Sequence, residues 1–353
     1  MNQKTMVAAV QEAPGKLVIK EVPVPVIGDD EVLIQVKFTG ICGTDWSIYT
    51  GLYSADQLPL IPGHEFSGVI AQVGRNAKGL KEGDRVTADI NMSCGHCFYC
   101  RRGQKLMCPE FSQLGIHMDG TYADFVKVPW GNVHQLPDNL DLMTGAFIEP
   151  VSCVIHSAKA LDVKLGSSVA IIGSGLGILH AAVSVYKGAA PVIVVGRNKK
   201  RLEAARNMGA DITIDVDEVD DPVALVRSYT GGRGADYAIE AVGKTDTYQQ
   251  ALEMVRPGGT VAAFGITGLN DKIEIRPYDI VLGEKAIVGS CAGVGQDWND
   301  AIALLEYGRI KPDILFSKIV PVRGYEAALK ELRDNRNYTK VFVAPDAEEE
   351  AIL

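Results

Sequence analysis

The sequence predicts an α/β protein of two domains, an all-β barrel followed by a doubly wound parallel sheet. Three observations carry that expectation. At 353 residues the chain exceeds what one hydrophobic core serves, and an apolar share of 47% is enough for two. Up to about residue 128, short runs rich in Val and Ile are separated by turn residues, as in a compact barrel. From residue 151 onward, strand-like and helix-like segments alternate, which implies parallel βαβ units.

The strand-like runs of the first part are residues 16–22, 31–38, 66–73, 84–88 and 122–128. The second part opens on a helical pattern at 151–161, a strand at 168–172, a glycine turn, a helix at 176–187 and a strand at 192–195. Helix 200–208, strand 212–215, helix 222–229, strand 236–240, helix 247–255 and strand 259–264 complete a domain ending near Gly289. Residues 298–353 hold two helical patterns and a strand at 340–343, too little for a core of their own. They are expected to pack back on the first domain. The expected division is 1–152 with a lobe at 90–110, then 153–289, then 290–353 returning to the start. The acidic stretch 346–350 reads as a solvated end.

A net charge of −9 argues against nucleic acid or an anionic membrane as partner, because both ask for a basic surface. A small molecule is the expected ligand. The most apolar segment, 169–185, is broken by Gly173, Gly175, Gly177 and His180, and no basic start leads into an apolar run, so the expected compartment is the cytoplasm. The seven cysteines are odd in number, and four crowd together, which suits a metal site in a reducing compartment better than a disulfide framework.

Those four, Cys94, Cys97, Cys100 and Cys108, follow a CxxCxxCx7C pattern. Four thiolates favour tetrahedral zinc and leave no position for substrate, so this site reads as structural. An iron–sulfur cluster, or cysteines without a ligand role, are the alternatives. Nearer the N-terminus, Gly40-Ile41-Cys42-Gly43-Thr44-Asp45 and Gly63-His64-Glu65 each offer possible ligands. Taken singly, a buried Cys is a small core residue and a His a hydrogen-bonding group.

Together with the four-cysteine lobe, the segments GICGTD, PGHEFSG, Ile148-Glu149-Pro150 and the later glycine turn make the chain resemble the zinc-containing medium-chain alcohol dehydrogenases, over essentially its whole length. It is most similar to sorbitol and other polyol dehydrogenases and to threonine dehydrogenases, because Glu149 supplies a carboxylate where other alcohol dehydrogenases carry a cysteine. The resemblance implies a GroES-like β-barrel catalytic domain, a Rossmann coenzyme domain and two zinc ions per chain. It implies a catalytic zinc held by Cys42, His64 and Glu149, or with Glu65 as an alternating ligand. An open coordination position there would acidify a bound alcohol. Thr44 would relay the hydroxyl proton, and Asp45 would fix the His64 ring from behind. Turn chemistry and capping are the plain reading of Thr44 and Asp45.

The glycine turn, Gly173-Ser174-Gly175-Leu176-Gly177-Ile178, lies between a strand and a helix, where backbone amides can hold a pyrophosphate. It departs from GxGxxG, since Ile178 stands at the third glycine position. No carboxylate marks the end of the next strand, which reads Val195-Gly196-Arg197-Asn198 followed by Lys199, Lys200 and Arg201. Gly196 leaves room for a 2′-phosphate that Arg197 and Arg201 could pair, so NADP(H) is favoured and NAD(H) possible. Solvated charges at a helix start are the plain alternative. By resemblance, Val242, Gly265 and Ile266 line the cofactor, with Cys291 near the nicotinamide.

The expected function is therefore hydride transfer between a secondary alcohol (polyol, sugar alcohol or cyclitol) and a nicotinamide cofactor. A threonine or amino-alcohol dehydrogenase is the nearest alternative, although Ser47 replaces the usual His of those enzymes and Ile48 the tyrosine of some sorbitol enzymes. A non-catalytic zinc- and nucleotide-binding protein is the reading from another class. A zinc-free quinone reductase would lack both metal motifs. Resemblance further implies a homotetramer or homodimer.

Overall fold

The computed structural model describes residues 4–335 and 337–353 and divides the chain into two units, Met1–Pro150 with Val294–Leu353, and Val151–Gly293. In the first, β1 (Thr5–Ala13) and β2 (Lys16–Pro23) form a hairpin whose turn uses Gly15 at φ +70°. Then come β3 (Glu31–Gly40), α1 (Gly43–Thr50), β4 (Glu65–Val73), β5 (Arg85–Ala88), β6 (Asn91–Met92), β7 (Ser112–Gln113), β8 (Phe125–Pro129), β9 (Val133–Gln135) and α2 (Leu142–Ala146).

β3 is the hub, pairing antiparallel with both β4 and β8. Its alternate residues Val32, Ile34 and Val36 are fully buried, as a strand with one face on a core requires. β1 went unpredicted because its buried run does not alternate: Ala8, Ala9 and Gln11 are each 0% exposed, and only Met6 and Val10 are larger apolar core positions. α1 was also missed, since its sequence reads as turn chemistry.

The second unit is the parallel α/β domain that was expected. α3 (Ile148–Leu161) begins at the boundary, followed by β10 (Val169–Ile172), α4 (Gly177–Tyr186), β11 (Val192–Gly196), α5 (Lys199–Asn207), β12 (Ile212–Asp215), α6 (Pro222–Tyr229) and β13 (Ala235–Glu240). α7 (Thr245–Met254), β14 (Val255–Ala263), α8 (Pro277–Gly283) and β15 (Ala286–Gly289) complete it. All five pairings are parallel, in the order β12-β11-β10-β13-β14-β15. The order reverses between β10 and β13, which makes the ends of those strands the ligand crevice of a doubly wound sheet.

Helices cover both faces, so β10 and β11 are buried along their whole length. Each fully buried Val or Ile, such as Ile193 and Val195, contributes about 1.5–3 kcal/mol relative to exposure. Local signals agree with this packing: Asp221 caps α6 by accepting the Ala224 amide at 2.9 Å, with Pro222 in the first turn. β14 starts at Val255, where the sequence pattern had extended a helix. Within this apolar layer His180 is buried edge-on to Phe264, with ring centroids 4.5 Å apart and neither nitrogen hydrogen-bonded. Burial pulls its pKa down to about 3, so the ring is neutral.

Residues 294–353 return to the first unit through α9 (Gln296–Glu306), β16 (Phe316–Val320), α10 (Tyr325–Asp334), β17 (Lys340–Val343) and β18 (Ala351–Ile352). β17 pairs antiparallel with β3, setting Phe342 opposite Gly40, and so lengthens the sheet on the side of the metal motifs. The acidic stretch 346–350 is exposed at each of its acidic residues, with Asp346 paired to Lys37 at 2.5 Å and Glu350 to Lys318 at 2.8 Å, and β18 follows it, pairing with β16. Among the described residues, no helix is long and apolar enough to cross a membrane.

Candidate active site

The end of β3 and the start of β4 build the first metal cluster. Their register sets Gly40 opposite Glu65, so the chain leaving β3 at Cys42 meets His64 and Glu65 as the chain enters β4. A Cβ at Gly40 would lie 2.3 Å from Glu65 Oε2, so a side chain there would displace the Glu65 carboxylate. The ligand atoms of Cys42, His64 and Glu65 all fall within 4.8 Å of one another. His64 is 3% exposed and Glu65 1%. Glu149, in the first turn of α3, is buried but stands outside that cluster.

The remaining predicted residues of this group surround it. Thr44 Oγ1 is 3.7 Å from Cys42 Sγ. Asp45 Oδ2 accepts the Cys42 amide at 2.8 Å, and Oδ1 faces His64 Nδ1 at 3.7 Å; neither of the last two atoms has a hydrogen-bond partner. Burial pushes the Asp45 carboxyl up. For His64, burial is the largest influence and pulls down, yet the Cys42 thiolate, Asp45 and Glu149 outweigh it and push the ring up to about 10. Thiolate and carboxylates gathered around a buried ring make a pocket suited to a metal cation. Thiolate, imidazole and carboxylate are the donors zinc prefers, so the residues present fit that ion.

Lys340, which sequence reasoning missed, supplies the only other nearby charge of that sign among the described contacts of Glu65. Its Nζ bonds Glu65 Oε2 and the Ile41 carbonyl, the latter at 3.1 Å, and it lies 5.6 Å from the Phe147 ring centroid. Burial would lower its pKa, but Glu65, Cys42 and Glu149 raise it and keep the ammonium charged. A lysine in sequence reads as a solvated charge; only the β17–β3 pairing buries this one.

The second cluster gathers Cys94, Cys97, Cys100 and Cys108, whose sulfur atoms likewise fall within 4.8 Å of one another. Cys94 and Cys100 Sγ are 4.0 Å apart, too far for a disulfide and close to the edge of a tetrahedron with metal–sulfur bonds of about 2.3 Å. The amides of Cys94 and Cys100 donate to Cys108 Sγ and Cys97 Sγ at 3.4 Å each, the bonding that stabilises thiolates. No exchangeable ligand position remains.

At the sheet's switch point, Gly173 takes φ +117° after β10, and a Cβ there would stand 3.0 Å from the Ala241 carbonyl oxygen. Gly175 has open space around it, and Leu176 is the N-cap of α4, so this turn presents backbone rather than side chains. Ser174 Oγ donates to the Arg197 carbonyl at 2.7 Å. That contact gives Gly196 a reason beyond room for a phosphate: a Cβ there would lie 2.7 Å from Ser174 Cβ. Arg197 pairs with Asp217 at 3.2 Å, and Asn198 caps α5 by accepting the Arg201 amide at 3.3 Å. Beyond β13, the buried Glu240 accepts the amides of Val242 and Gly243 at 2.9 Å and the Thr247 hydroxyl at 2.7 Å. It shapes the loop carrying Val242, and Gly265 packs against Gly243 too closely for any side chain. Ile266 is 84% exposed, and Cys291 is exposed.

Residues 28–138 match the alcohol dehydrogenase GroES-like domain family, and residues 175–307 match the zinc-binding dehydrogenases. D-arabinitol dehydrogenase 1 of Uromyces fabae is 32% identical over 344 residues, covering 97% of this chain and 97% of that protein. The chain belongs to the zinc-binding medium-chain alcohol dehydrogenase family. Within that family, L-threonine 3-dehydrogenase of Symbiobacterium thermophilum is 32% identical over 95% of this chain and 96% of its own. A candidate zinc-binding dehydrogenase of Sinorhizobium meliloti 1021, solved bound to NADP, superposes with a TM-score of 0.90 at 31% identity over 97% of this chain and 100% of that one. This member of the family is a zinc-dependent NAD(P) dehydrogenase, with a structural four-cysteine zinc site and a catalytic Cys/His/Glu site.

Proposed function

We propose that this dehydrogenase moves a hydride between a secondary alcohol of polyol, sugar-alcohol or cyclitol type and NADP(H). The observation that carries the chemistry is the buried cluster of Cys42, His64 and Glu65 with Thr44 Oγ1 3.7 Å from the thiol. These residues would hold the catalytic zinc, with Glu149 as the alternate carboxylate. When bound, zinc supplies a Lewis acid that makes a substrate hydroxyl acidic near neutral pH. Thr44 would relay the hydroxyl proton toward solvent, and Asp45 would hold the His64 ring from behind. The backbone of Gly173, Ser174, Gly175 and Leu176 receives the pyrophosphate, and Val242, Gly265 and Ile266 border the rest of the cofactor. Likeness to an arabinitol dehydrogenase supports the polyol class. Likeness to a threonine dehydrogenase at equal identity keeps an amino alcohol as the second reading.

The phosphate preference rests on Gly196, Arg197, Asn198 and Arg201, with no carboxylate at the end of β11. Arg197 and Asp217 are 53% and 64% exposed, and such a pair is worth about 0–1 kcal/mol, so a 2′-phosphate can take the guanidinium from it. The test is nicotinamide absorbance with NAD or NADP across polyols, inositols, simple secondary alcohols and threonine. Arg197→Ala is expected to raise KM for NADP roughly tenfold and leave that for NAD unchanged. Equal effects on both cofactors would remove the phosphate assignment, and turnover on threonine alone would replace the polyol reading.

Assembly of identical subunits belongs to the same proposal. Tyr278, Val281 and Leu282 on α8 and Ile287 on the edge strand β15 are 72%, 70%, 66% and 42% exposed, an apolar surface beside an unpaired strand edge. Ile287→Lys is expected to shift sedimentation equilibrium toward monomer at micromolar concentration. A parent protein that is already monomeric there would refute the assembly.

A further inference from the structure

Tyr122 has no part in ligation or proton relay, yet it is fully buried against the catalytic site. Its amide donates to the Pro62 carbonyl at 3.0 Å, in the turn that leads to His64, and its carbonyl accepts the Ala9 amide of β1 at 2.9 Å. Its ring stacks on Tyr325 of α10, with centroids 3.9 Å apart and planes 29° from parallel. Backbone and ring are therefore fixed from three elements.

That fixed hydroxyl lies 2.7 Å from Asp45 Oδ2 and 3.1 Å from the Gly40 carbonyl. It has one proton to give, and the shorter, charge-assisted bond to the carboxylate is the stronger. The Cys42 amide occupies the same Oδ2 at 2.8 Å. Both donors thus pull on one oxygen and leave Oδ1 turned toward His64 Nδ1, 3.7 Å away.

We propose that Tyr122 is a positioning residue of the catalytic metal site, locking the Asp45 carboxylate so that Oδ1 faces His64 Nδ1. The proton is then kept on Nδ1, and Nε2 is left as the donor for the metal. The inference rests on the reading of Cys42 and His64 as zinc ligands. Without the tyrosine proton only the Cys42 amide still holds Oδ2, and the hold on the orientation and tautomer of His64 weakens.

Tyr122→Phe removes one hydroxyl and keeps the ring stack. On the full-length zinc-loaded protein, one of the two zinc ions is expected to pass to a chelator about tenfold more readily, at the lower end of what loss of such outer partners costs. The four-cysteine zinc should be retained as in the parent, and the cobalt-substituted variant should show shifted visible bands. In an Asp45→Asn background the same substitution should add nothing, because Tyr122 acts only through that carboxylate. Parental zinc retention with an unchanged cobalt spectrum overturns the proposal, as does full additivity with Asp45→Asn or parallel loss of both zinc ions. Cys42→Ser in the same assay separates the two readings: retention of both zinc ions there would overturn the ligand assignment itself.

Discussion

Cys42→Ser is expected to lower kcat/KM on the order of a thousandfold or more, as loss of a Lewis acid worth several kcal/mol implies, while the chain keeps its fold. Cys42 occupies the N-cap of α1, where serine is among the favoured residues, so the helix start is not weakened. The Asp45 bond to the residue-42 amide involves backbone and survives the change. What disappears is the thiolate, the softest and most basic donor of the cluster, and a serine hydroxyl does not replace it at neutral pH. Metal analysis should then find only the four-cysteine zinc, with an unchanged far-ultraviolet circular dichroism spectrum. Normal turnover in this variant would rule out zinc catalysis at the site.

The second unit was legible in the sequence because β10 and β11 are buried on both faces and therefore read as unbroken apolar runs between helices. β1 was not, since Ala8, Ala9 and Gln11 break up the larger core positions Met6 and Val10, and Gln11 is buried by pairing its backbone with Leu60 rather than by apolarity. The candidate ligands Cys42, His64 and the four-cysteine set stand out locally, as their side chains are rare and closely spaced. Lys340 and Tyr122 do not. They reach the cluster only through long-range pairing, β17 on β3 for one and the Pro62 turn against β1 for the other. Gly196 was read for the space it opens, whereas contact with Ser174 also requires glycine there. Local spacing thus reveals donors of a site, and tertiary pairing supplies the groups that tune them.

Lys340→Met is the second change with a large expected effect, and its sign depends on the metal. Lys340 and Glu65 have side chains 7% and 2% exposed, so removing the ammonium strands a carboxylate out of water beside Cys42 and near Glu149. Breaking a buried pair on one side costs about 3–5 kcal/mol, and the metal-free protein should lose that much in denaturant unfolding. Zinc offers the stranded carboxylate a new counter-charge within the same cluster, so the loaded protein should lose less. By linkage, a smaller loss in the loaded form means tighter zinc binding than in the parent. A more strongly donating Glu65 would also leave the metal less electrophilic, so kcat should fall while affinity rises. The double variant Lys340→Met/Glu65→Gln removes the stranded charge and should recover most of the metal-free stability. Equal losses with and without zinc would mean that Glu65 does not reach the metal, and that Lys340 supports only the packing between β17 and β3.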